Sequence, residues 1–221
     1  MVLVVALVTA WAAGSEGGGA GAGGRPAGST DAVRLGPESG ESVDGYLGRV
    51  AAIRPGVGAR RLALVTFGTY QDVRGAAATL AGVDARADQA VFRVPLPRVQ
   101  TAVRRVPLDA RGGVDPVAAL RLAEAQAANR AGETARTTDG RARAIAAAES
   151  PRLAAGCACV VALVVDLDPV VVPVLAARPG VRAVQVAPDG AREDALAVVP
   201  LLPEQVGTVG PVPDDGPVPA F

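Results

Sequence analysis

Apolar positions recur at helical spacing in the segment "SVDGYLGRVAAIRPG". Val43, Tyr46, Leu47, Val50 and Ile53 form one stripe behind an N-cap at Ser42, and Pro55-Gly56 stops the run, which predicts a helix. "RRLALVTFGTY" then predicts a strand, "DVRGAAATLAG" a short helix ending at Gly82, and "AVFRVPLP" a second strand. The prolines and Arg93 of that second strand suit a sheet edge. Residues 98–150 are rich in Ala and Arg and poor in strand formers. Asp115 and Pro116 open a helix there, and "GRARAIAAAESP" predicts another, so the segment reads as a helical insertion. "CACVVALVV" is apolar on both faces, as a central strand is. Asp168-Pro169 starts a further helix that ends before Pro179-Gly180, and "VRAVQVAP" alternates like an edge strand.

The order is therefore β-α-β, insertion, β-α-β. It predicts an α+β fold of the ferredoxin-like split β-α-β type, a four-stranded antiparallel sheet whose first and third strands are central. A single α+β domain is expected over residues 42–199, with the helical insertion at about 98–150. Residues 200–221, rich in proline, read as a loose tail. Residues 1–13, "MVLVVALVTAWAA", are uncharged and apolar, and residues 14–41 are a Gly-rich linker. The first run predicts a signal peptide or a truncated membrane anchor, because it lacks a basic start and is shorter than a spanning helix needs.

Composition narrows the chemistry. Half of the 221 residues are hydrophobic but only 3% are aromatic, so the core must be built from Val, Leu and Ala. The formal net charge is zero, which removes the global basic field of a nucleic-acid binder. All 22 basic residues are Arg and His is absent. Without His there is no Ser-His or Cys-His nucleophile pair, and without Lys no Schiff base and no Walker A loop. General acid–base work falls to carboxylates. Asp166, Asp168 and Asp189 gather toward one expected sheet edge, where an oxygen-ligated calcium site is one reading. Helix capping by Asp168 and a turn at Asp189-Gly190 is the simpler one.

Cys157 and Cys159 are the only two cysteines. On a regular strand they share a face with Cα atoms about 6.6 Å apart, too far for a bridge, so they read first as small buried side chains. A bend at Gly156 would allow a disulfide, and a thiol redox pair is the third reading; a zinc site lacks the remaining ligands.

"VVPVLAARPGVRAVQVAPDG" resembles the closing helix–strand unit of subtilase pro-domains of the inhibitor I9 type over about twenty residues. That resemblance implies a ferredoxin-like fold and a role as a protease inhibitor or folding assistant. The layout as a whole is similar to that of actinobacterial envelope proteins with a short anchor and one compact domain, which implies no activity. The resulting expectation is a non-enzymatic extracytoplasmic interaction or sensing module. It is tethered to the membrane by its N-terminus and bound to another envelope protein, with no catalytic residue, cofactor, metal or nucleic acid. The alternatives are the protease inhibitor and a thiol redox protein using Cys157 and Cys159.

Overall fold

The computed structural model describes residues 32–53, 58–108 and 114–219. A short strand, β1 (Val33–Leu35), precedes α1 (Val43–Ala52). Ser42 Oγ accepts the Gly45 N–H at 3.1 Å, and the stripe buries Val43, Tyr46 and Val50. β2 (Arg61–Gln71) leads into α2 (Val73–Thr79), where the Asp72 carboxylate accepts the Gly75 N–H at 2.7 Å. β3 (Ala85–Phe92) and β4 (Arg104–Pro107) come next, followed by a hairpin of α3 (Pro116–Thr137) and α4 (Gly140–Ala154). β5 (Val160–Leu167) passes through a 3-10 turn into α5 (Val172–Ala176). The chain then forms β6 (Val181–Val186) and β7 (Leu196–Val198).

The main sheet has five antiparallel strands in the order β4-β3-β5-β2-β6. A second sheet pairs β1 with β7 in parallel. The expected four-stranded ferredoxin-like sandwich is thus corrected. β3 is interior, because β4 pairs along its outer side, and the Pro-rich "VPLP" lies beyond the strand rather than within it. Arg93, assigned to an edge, is 3% exposed and reaches Glu204 and the Tyr70 hydroxyl. β2 and β5, the most apolar strands, are both interior. Side chains alternate between two cores: Leu163, Val165 and Leu167 face the helices, while Ala162 and Val164 face the opposite layer.

On one face lie α2, α3, α4 and α5. Their layer buries Leu120, Ala123, Ala127, Ala131, Leu153 and Leu175 against Phe67, Phe92 and Val165. Ala on both helices of the hairpin lets the backbones approach closely, and Ser150 Oγ donates to the Ala128 carbonyl at 3.0 Å. Glu149 on α4 is 1% exposed; it accepts the Ala102 N–H at 2.7 Å and pairs with Arg104 of β4. The hairpin is therefore part of the core layer and tied to the sheet, which corrects its reading as an appended insertion.

The opposite face is covered by Leu35, Ala187, Leu196 and Leu202. Leu201 is fully buried beside Tyr46 of α1. Val209 exchanges backbone hydrogen bonds with Gly40 and Glu41 at 2.8 and 2.9 Å, and the Gly216 N–H donates to Arg98 at 2.7 Å. Residues 200–219 are packed, which corrects their reading as a loose tail. β1 likewise places the start of the fold before residue 42. No helix among the described residues is long and apolar enough to cross a membrane. The N-terminal anchor, and with it the membrane partner and envelope location, was assigned to residues 1–13, which lie outside the described ones; that assignment gains no support.

Candidate functional site: a disulfide at the edge of a cleft

α4 ends because the chain turns back on itself. The Ala155 N–H donates to Pro151 at 2.9 Å, and the Gly156 N–H donates to Leu153 at 3.2 Å. Gly156 then takes φ +80°, a left-handed conformation that a side chain would oppose. This turn directs the chain into β5, which begins four residues later at Val160, and the two cysteines fall between Gly156 and the strand.

Cys157 and Cys159 are joined by a disulfide, with Cα atoms 5.2 Å apart. The separation is shorter than the roughly 6.6 Å of a regular strand, since β5 begins only at Val160. The expected row of buried thiols on a central strand is therefore corrected: both cysteines precede the strand and are bonded to each other. Their environments differ. Cys159 is fully buried in the helix-side core, and its carbonyl accepts the Arg93 N–H at 2.8 Å. Cys157 is half-buried and lines a cleft of about 430 Å³ formed with α2, α3 and the end of α4.

Asp72, Arg74, Arg121 and Glu124 supply the polar wall of that cleft. Glu124 is 4% exposed, and its Oε1 has no hydrogen-bond partner. Burial pushes its carboxyl up to about 7; the Cys157 N–H, which donates to it, pulls the other way, Asp72 raises it further, and Arg121 lowers it. A carboxyl that changes charge near neutrality can give or take a proton at working pH. Arg74 and Arg121 form no ion pair or side-chain hydrogen bond among the described residues. The Asp72 carboxylate, by contrast, is held by its cap on α2.

The three carboxylates considered as a calcium site are not brought together. Asp166 pairs with Arg60 at 3.1 Å, Asp189 pairs with Arg61 at 2.6 Å, and Asp168 caps the turn through the Val170 N–H at 2.9 Å. No cluster of three or more His, Cys, Asp or Glu able to hold a metal occurs among the described residues. Glu124 was missed in the sequence. Its signal was a carboxylate on the buried stripe of α3, between Leu120 and Ala123 on one side and Ala127 on the other.

Compared with family models, curated proteins and solved structures, the chain matches none of them.

Proposed function

We propose that this domain carries out thiol–disulfide exchange at the Cys157–Cys159 bridge. One observation carries the reading: the bridge has a half-exposed sulfur residue on a cleft and a fully buried one behind it. A purely structural bridge is the competing account. The cysteines are separated by two positions in sequence, so the closed loop is minimal. On the chain-entropy argument such a loop stabilises by about 1.6 kcal/mol, roughly half the effect of a 15-residue loop. A bridge that restrains so little chain is a poor staple.

The exchange runs in two steps. A substrate thiolate attacks Sγ of Cys157 from the cleft, a mixed disulfide forms, and the Cys157–Cys159 bond breaks with Cys159 leaving as thiolate. A second substrate thiolate attacks the outer sulfur of the mixed disulfide and releases Cys157. Two substrate thiols are oxidised to their disulfide, and the two cysteines take up the two protons the substrate gave up. The reverse sequence oxidises the pair at the expense of a substrate disulfide. Glu124, at the wall of the same cleft, is the group that handles these protons: neutral below about pH 7 it donates, and ionised above it accepts.

Single-cysteine variants test the reading. Cys159→Ala leaves a Cys157 thiol that reacts with an aromatic disulfide probe in the folded protein. Cys157→Ala leaves a Cys159 thiol that reacts at least about 100-fold more slowly, because access governs the rate. Equal rates in the two folded variants, or no reaction of either before unfolding, would remove the exchange reading.

A further inference from the structure

Resting on the exchange reading, we infer that the cleft beside Cys157 selects a small thiol that carries carboxylates, held by Arg74 and Arg121. The cleft, at about 430 Å³, is of a size that accepts a small molecule. Its two cations come from different elements: Arg74 lies in α2 and Arg121 in α3.

Elsewhere among the described residues many exposed arginines are paired with carboxylates. Arg49 meets Glu41 at 3.0 Å, Arg60 meets Asp84 at 2.7 Å, Arg141 meets Asp214 at 2.8 Å, and Arg192 meets Asp194 at 2.7 Å. Among the described residues Arg74 and Arg121 have no such partner, and both line the cleft that contains Cys157. Guanidinium groups present two parallel N–H donors that match a carboxylate, so a carboxylate-bearing thiol satisfies both the cations and the chemistry. Asp72 contributes a single opposing charge at the wall against the two guanidinium groups, and one of its oxygens accepts the Gly75 N–H.

Glu124 provides a separate indication that a ligand belongs here. Its Oε1 is buried and unpartnered, and the residue lines the cleft. A buried polar atom left without a partner costs stability, and a polar ligand group in the cleft would satisfy it.

The test measures reduction of the bridge in the full-length folded protein by three thiols: mercaptosuccinate, neutral 2-mercaptoethanol and cationic cysteamine. Each rate is divided by the rate of the same thiol on a small-molecule disulfide at the same pH, which removes differences in intrinsic reactivity. The expected result, at pH 6 where Glu124 is neutral and the two guanidinium groups outnumber the Asp72 carboxylate, is a normalised preference of at least about tenfold for mercaptosuccinate over cysteamine, as a cationic cleft produces. The Arg74→Ala/Arg121→Ala variant should lose that preference, while Arg192→Ala, outside the cleft, should keep it. Equal normalised rates for the three thiols would overturn the inference and leave the exchange reading standing. So would a preference that survives the double substitution. If none of the three reduces the folded protein, the exchange reading falls and the inference falls with it.

Discussion

Replacing residues 114–154 with a short Gly-Ser linker should leave a chain that no longer unfolds cooperatively. The hairpin of α3 and α4 buries Leu120, Ala123, Ala127, Ala131, Ala148 and Leu153 over the sheet. Its removal would strip the cover from Phe67, Phe92, Leu163 and Val165, all fully buried. Uncovering a large apolar side chain costs about 1.5–3 kcal/mol, so the exposed face alone consumes the 5–15 kcal/mol that a domain has in total. The replacement would also delete Glu149, leaving Arg104, whose side chain is 13% exposed, without its counter-charge. Urea unfolding followed by far-ultraviolet circular dichroism checks this. A broad, non-sigmoidal change is expected; a sharp transition with an unchanged slope would show that the sheet stands without its helices.

Glu124→Gln should stabilise the protein at pH 8 and change it little below pH 4.5. The folded-state pKa is raised, from 4.5 to about 7, so the folded form holds its proton more tightly than the unfolded chain does. The stability contributed by that proton is fully present below about pH 4.5 and is lost as pH rises through about 7. At pH 8 the folded protein carries an ionised carboxylate that is 4% exposed, whereas the amide stays neutral. The shift corresponds to on the order of 2–3 kcal/mol of relative stabilisation at pH 8. Urea midpoints for both proteins at several pH values give the difference directly. A gap that stays constant across this range would mean that Glu124 ionises normally.

The reading of the sequence succeeded where side-chain pattern and local chemistry point the same way. Ser42 with its apolar stripe made α1 readable, and continuous apolar runs marked β2 and β5 as interior strands. Asp115-Pro116 marked the start of α3. Failures came where the deciding contact is distant or the side chain small. β4 is "RRVP", short, charged and ending in proline, and it is a strand because β3 offers it an edge. β1 and β7 are three residues each and pair Val33 with Leu196 across the chain. The buried face of α3 is made mostly of Ala, whose weak hydropathy disguised a core helix as an appendage. Proline in residues 200–219 suggested a loose tail, but Leu201 and Val209 anchor that segment.

The site was half readable. The cysteine pair and the possible bend at Gly156 were visible, but the strand was expected to begin at the cysteines rather than after them. The left-handed Gly156 that moves them out of the ladder depends on where α4 ends, in the turn closed by the Ala155 and Gly156 N–H groups. Arg121 and Glu124 are neighbours at i, i+3 on α3, but Arg74 on α2 and Cys157 join them only through tertiary packing, which no local spacing encodes.

The most direct test of the exchange function is the rate at which dithiothreitol reduces the Cys157–Cys159 bridge in the folded protein without denaturant. Alkylation and mass spectrometry of quenched samples count the thiols released, and the urea-unfolded chain provides the reference rate. The reading predicts a native rate within about tenfold of the unfolded one, with the reduced protein still cooperatively folded. A bridge that opens only as fast as the whole protein unfolds would contradict it.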